Sequence, residues 1–248
     1  MNIPTNTYPK PYAFFPILST LIACLSNESK NLLYENGISI RIPTPKSPLF
    51  NYISFIKALS FYNIEYVVGS ALNSQQINTS KNKYLVIQEL LKAFMIQISS
   101  LKSLNYNISY STIIDIPFVS FRRAKDCLTD LLEFKCVSDY YSNHQLSQIC
   151  HNIQSLSIMF NEESNVSNGL KELICSQNHL KSLGLNIRGN NWKDIIPFLT
   201  KHHDTLTRLH VQYISIKEMD YHYLLHLLIY KNLLFRIFTF TNYNNYNT

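Results

Sequence analysis

Glycine is scarce, with five residues in a chain of 248. Loops that cradle phosphate need several glycines close together so that backbone N–H groups can approach an anion, so this shortage argues against nucleotide-binding enzymes of the Rossmann or P-loop kind. Charge is sparse too: Asp, Glu, Lys and Arg make up 15% of the chain, against roughly 25% in ordinary soluble domains. The surface must therefore be built from uncharged polar groups, which 26 asparagines help to supply. No C-x-x-C pair is present. Cys24, Cys127, Cys136, Cys150 and Cys175 stand at irregular spacings, which seeds neither a zinc site nor a redox motif and suits buried thiols in a reducing compartment. A cytoplasmic or nuclear location is expected. No stretch approaches ~20 uninterrupted apolar residues, so no membrane span is expected. Residues 13–25 have the length of a signal-peptide core, but Pro16 interrupts them, only Lys10 precedes them with a charge and no A-x-A site follows, so a short buried helix is expected instead.

What is present is apolar material for a sizeable core, 46% of the residues. The net charge of +6 would favour nucleic acid only if the cations clustered. Arg122-Arg123 is the only adjacent pair among Lys and Arg, so nucleic-acid binding is not the expected role. Near the N-terminus, residues 16–25 read as a helix, Ser26 as the cap of a second helix, Leu32 and Leu33 as its inward anchors, and Gly37 as its stop. The prolines of Arg41-Ile-Pro-Thr-Pro-Lys-Ser-Pro48 force an extended linker. After it, Leu49, Tyr52, Ile53, Ile56 and Leu59 recur at three- and four-residue intervals, which predicts an amphipathic helix. Another helix is expected around residues 64–72, and the polar segment 73–82 marks the end of a helical N-terminal region, residues 1–82.

A different regularity follows, in which an apolar residue is followed by two more, three and five positions later. It occurs as Leu101-Lys-Ser-Leu104-Asn-Tyr106, Leu131-Leu-Glu-Phe134-Lys-Cys136, Ile153-Gln-Ser-Leu156-Ser-Ile158, Leu180-Lys-Ser-Leu183-Gly-Leu185 and Leu206-Thr-Arg-Leu209-His-Val211, with a poorer copy at Leu234-Phe-Arg-Ile237-Phe-Thr239. Successive copies start 30, 22, 27, 26 and 28 residues apart, close to the ~20–29-residue period of leucine-rich repeats. Each copy reads as a short strand whose alternate residues point inward, preceded by a packed turn residue. Stacked copies would form a parallel inner sheet, with outer helices such as residues 84–98 and 168–176. The expected fold is thus α/β: a short, irregular leucine-rich-repeat solenoid over residues 83–240, an α-helical N-terminal region, and a disordered tail at 241–248.

The residues between the apolar positions would face out on a concave sheet. They are Ser103, Asn105, Asn107, Glu133, Lys135, Ser155, Ser157, Ser182, Asn186, Arg208, His210 and Gln212, all polar. They are the candidate partner-binding residues.

Catalytic and metal-binding patterns are weak. His222 and His226 stand four apart but lack a third ligand and the Glu of H-E-x-x-H. His202-His203-Asp204 lacks a nucleophile and reads as a polar turn; Cys150-His151 invites a thiol–imidazole reading, but Cys150 and Cys136 fall at inward-facing positions and read as small core residues. Trp192 is expected to staple the first turn of a helix over residues 192–199, with ligand stacking as the alternative. No enzyme, metal site or cofactor is expected.

Several phrases carry a family likeness: Pro48-Leu-Phe-Asn-Tyr-Ile-Ser-Phe, Ala124-Lys-Asp-Cys-Leu, Leu146-Ser-Gln-Ile-Cys-His-Asn-Ile-Gln-Ser-Leu, Ser167-Asn-Gly-Leu and Trp192-Lys-Asp-Ile-Ile-Pro. With them, residues 50–212 resemble the F-box/leucine-rich-repeat proteins expanded in some fungi. The resemblance implies the substrate-recognition part of a Skp/cullin/F-box ubiquitin ligase, whose repeats hold a protein or peptide target. Family members place an F-box of about three helices ahead of this region, and residues 1–16 are too few for one, so docking of the ligase adaptor is not expected. A truncated family member acting as a decoy, and an RNA-binding module, are the alternative readings.

Overall fold

In a computed structural model the described residues are 14–40, 49–76, 79–106, 116–138, 143–160, 166–187, 194–213 and 240–242. The chain is mixed α/β and divides into two compact units, residues 1–56, 60–99 and 108–124 in one and residues 57–59, 100–107 and 125–248 in the other.

The first unit is helical. Helix α1 (Phe14–Ala23) buries Phe14, Leu18 and Ile22, a four-residue spacing that lines one stripe of the helix. Helix α2 (Asn27–Glu35) starts where Ser26 accepts a hydrogen bond from the Ser29 N–H. It stops at Gly37, whose φ of +74° is cheap only without a Cβ. There the Gly37 N–H reaches the Tyr34 carbonyl and the Ile38 N–H the Leu33 carbonyl, satisfying groups the helix end would otherwise orphan. Leu33 is buried as expected, but Leu32 is exposed and anchors nothing. The Lys30 ammonium and the Gln97 side-chain amide cap the free carbonyls of Ala23 and Cys24 after α1.

Helices α3 (Phe61–Asn73) and α4 (Ser80–Gln97) complete the unit, capped by Ser60 and Thr79. Two nearly buried carboxylates are matched rather than stranded: Glu65 meets Lys83 at 2.9 Å, and Glu89 accepts from Ser29 at 2.7 Å and Lys92 at 2.6 Å. Helix α4 packs on α2 and α3, so it belongs with the N-terminal helices and not with the outer helices of the repeats.

The amphipathic helix expected from Leu49 to Leu59 does not form. Residues Tyr52–Phe55 make a single 3-10 turn capped by Asn51, and the chain then extends into strand β1 (Ala58–Ser60). Leu49 is 96% exposed and Tyr52 50%, so the stripe is not a buried face. Extension wins because the Lys57 carbonyl accepts hydrogen bonds from the N–H groups of both Lys102 and Ser103, which a helix would have kept for itself.

The second unit is built on a sheet of seven strands in sequence order: β1, β2 (Ser103–Asn105), β3 (Glu133–Val137), β4 (Ser155–Met159), β5 (Ser182–Ile187), β6 (Arg208–Tyr213) and β7 (Phe240–Asn242). Strands β2 to β7 run parallel. Short helices α5 (Ala124–Leu128), α6 (Asn143–Ser147), α7 (Asn168–Ser176) and α8 (Ile196–Leu199) occupy the connections.

All fifteen apolar positions of the five copies are buried, none more than 4% exposed. The pairing aligns them copy by copy: Leu104, Phe134, Leu156, Leu183 and Leu209 lie opposite one another along the sheet. Before strands β1 to β5 a single carbonyl accepts two consecutive N–H groups of the next turn. Lys102 O takes those of Leu132 and Glu133, Leu132 O those of Gln154 and Ser155, Gln154 O those of Lys181 and Ser182, and Lys181 O those of Thr207 and Arg208. Lys57 O does the same for Lys102 and Ser103.

Ile56-Lys-Ala-Leu59-Ser-Phe61 is thus a copy of the same pattern that periodicity did not pick up. It stands 45 residues before Leu101, with α3 and α4 between. At the other end, Phe240 pairs with Val211; the poorer copy from Leu234 to Thr239 lies outside the described residues. Residues 241 and 242, placed in the tail by the sequence reading, belong to β7.

Side chains at the helix ends tie each connection to the one before. Cys150 Sγ approaches the Leu128 carbonyl at 3.4 Å, and His202 Nε2 donates to the Ile174 carbonyl at 2.8 Å. Fully buried Gln177 donates to the Cys150 carbonyl at 2.7 Å and accepts from the Ile153 N–H at 2.9 Å. Helices α6 and α7 approach so closely at Gly169 that a Cβ there would stand 2.5 Å from the His144 backbone nitrogen.

Candidate interaction surface

Alternation along a strand sends every second side chain away from the apolar layer, and parallel register converts those residues into rungs that cross the sheet. The first rung is Ser103, Glu133, Ser155, Ser182 and Arg208. The second is Asn105, Lys135, Ser157, Gly184 and His210. Val137, Met159, Asn186 and Gln212 form the third, with Asn186 Nδ2 3.4 Å from Gln212 Oε1.

Eleven of the twelve candidate residues thus fall on three adjoining rungs of one face; Asn107 lies outside the described residues. Glu133, Lys135, Arg208 and His210 are exposed, while Ser103, Asn105, Ser155, Ser157, Ser182, Asn186 and Gln212 are half-buried. Sequence reasoning passed over Gly184, Val137 and Met159, which share the same rungs. The signal was present, since each lies two residues from a named candidate on its own strand, but selecting for polarity hid them.

Part of this face is electrostatically open among the described residues. Glu133, Lys135 and Arg208 make no ion pair or side-chain hydrogen bond among the described residues, and the same holds for the hydroxyls of Ser155, Ser157 and Ser182. Away from these rungs, Asp130 accepts from Ser100 at 2.8 Å and Lys102 at 3.2 Å, and these two donors hold its carboxyl below the usual range.

The chemically suggestive residues sit elsewhere. Burial pushes the Cys150 thiol up to about 12 and raises that of Cys136 as well, so neither supplies a thiolate near neutrality. His202, expected in a polar turn, is buried and bonded to backbone; loss of hydration is the main cause of its lowered pKa. His203 meets Asp204 at 3.0 Å on the surface. His144 pairs with Glu172, also on the surface. His222, His226 and Trp192 lie outside the described residues. Among the described residues no three metal-ligating side chains gather, and no helix is long and apolar enough to cross a membrane. Set against models of protein families and against characterised proteins, the chain matches none.

Proposed function

We propose that the protein is a non-enzymatic recognition module, a short leucine-rich-repeat arc whose outward sheet face is concave and holds a protein or peptide. The observation that carries this reading is the register. Five copies of one pattern bury every apolar position and align their intervening residues as rungs, and on the first two those residues are polar or glycine. A sheet face covered by its own chain would carry apolar residues at these positions, whereas a face whose Ser155, Ser157, Ser182, Glu133, Lys135 and Arg208 side chains have no partner among the described residues can make its hydrogen bonds and ion pairs with a partner. Specificity would come from the pattern of a few charges over many hydroxyl and amide groups.

The likeness to F-box/leucine-rich-repeat proteins fits this role and suggests the target-holding half of a ligase receptor. Proximity labelling in the native cell, followed by co-purification with wild type and with the Lys135→Ala/Arg208→Ala variant, tests it. A genuine target is labelled by wild type and lost with the variant, whose thermal unfolding is unchanged. Targets retained undiminished by the variant would exclude this face. Recovery of ligase subunits along with the target would separate a working receptor from a decoy.

A further inference from the structure

The outward face is divided by side-chain size. On β4 and β5 the first two rungs carry only Ser155, Ser157, Ser182 and Gly184, and a Cβ on Gly184 would already stand 3.2 Å from Ser157 Oγ. On either side the chains are long and three of the four are charged: Glu133 and Lys135 on β3, and Arg208 beside His210 on β6. With neighbouring strands about 4.8 Å apart, the β3 and β6 backbones stand about 14 Å from each other, and the two rungs are about 6.6 Å apart. A single polypeptide segment fits that width, since even an α-helix with its side chains is only about 10–12 Å across. The floor is low, bears three hydroxyls, and is flanked by two cations, Lys135 and Arg208, at diagonally opposite corners; neither the hydroxyls nor the cations have a side-chain partner among the described residues.

Resting on the recognition reading above, we propose that this trough takes an acidic peptide segment of a partner protein, seated over Ser155, Ser157, Ser182 and Gly184 with carboxylates reaching Lys135 and Arg208. The charges choose this occupant. Both cations are exposed and form no ion pair among the described residues, and carboxylates are the complementary groups on a polypeptide. Glu133, on the same strand as Lys135, repels acid from one corner and so orients the segment. Nucleic acid fits less well, because the first two rungs offer base stacking only the His210 ring and place the Glu133 carboxylate at a third corner.

The test is selection of a displayed random dodecapeptide library on the intact protein, with enriched peptides measured by fluorescence anisotropy. Peptides rich in Asp and Glu should emerge. Their affinity should fall about tenfold or more in Lys135→Glu and in Arg208→Glu, rise severalfold in Glu133→Gln, and weaken as salt is raised. Filling the floor with Gly184→Gln should weaken them without altering the salt response. Neutral or basic peptides that depend on the same face would overturn the acidic occupant and leave the recognition reading standing. Failure to enrich any peptide sensitive to these substitutions would overturn both. An oligo-U 20-mer binding more tightly than the peptides at equal salt would also overturn the inference.

Discussion

The two units bury their chains by different rules. In the helical unit each contact is individual: Glu89 has its own serine and lysine, Glu65 its own lysine, and the carbonyls after α1 are capped by Lys30 and Gln97. In the sheet unit one solution is reused, with a packed turn residue, two inward strand residues and a carbonyl accepting two N–H groups repeated from strand to strand. Repetition makes a fold easy to read and spreads its stability evenly, whereas individual contacts leave little trace in spacing and concentrate stability at particular side chains.

The largest expected effect breaks the shared core. Phe134→Ala, at a fully buried position inside the aligned apolar row, between Leu104 and Leu156, should cost about 3–5 kcal/mol in chemical denaturation. Because neighbouring copies share that layer, the loss should appear in hydrogen exchange of the β2 and β4 amides as well as those of β3. Gln177→Ala comes next. It removes the donor to Cys150 and leaves the buried Ile153 N–H without its acceptor, which should cost about 2–3 kcal/mol. A loss below about 0.5 kcal/mol would mean that water replaces the side chain. In the helical unit, Gly37→Ala should cost about 1 kcal/mol, the penalty of a side chain at positive φ, and its exchange effects should stay within α2.

The smallest effect is a pH dependence. His202 has a folded pKa below its ordinary 6.5 because burial strips its hydration. As pH falls through that ordinary value the unfolded chain takes up the proton first, so this contribution to stability is present above it and lost below it. Denaturation midpoints between pH 7.5 and 5.5 should fall more in wild type than in His202→Gln. Equal falls would place the pH sensitivity elsewhere.

The sheet unit was legible because three apolar positions at fixed offsets recur with polar residues between them, and one register satisfies all five copies. The copy at Ile56 escaped because α3 and α4 lengthen its interval to 45 residues, and because Leu49, Tyr52, Ile53, Ile56 and Leu59 also satisfy helical spacing. Short apolar sequences often fit both periods, and here the choice was made by a distant pair of N–H groups that no local pattern encodes. The helix caps at Ser26 and Gly37 could be read directly, since each acts within its own turn. The burial of His202 could not, because it depends on a carbonyl 28 residues away. On the candidate face, polarity was a good guide to the charged corners and a poor one to the floor, where the informative property of Gly184 is its lack of bulk.

The paired N–H contacts at the turns after Lys57, Lys102, Leu132, Gln154 and Lys181 fix only a few residues in each interval. The stretch that loops back from one to the next is free in length, as intervals from 22 to 45 residues demonstrate. Such a chain can gain or lose whole intervals, or host a folded insert in one of them, while the remaining strands keep their neighbours. The breadth of the surface and the spacing of its charges can therefore be altered by splicing blocks, without redesigning the interior.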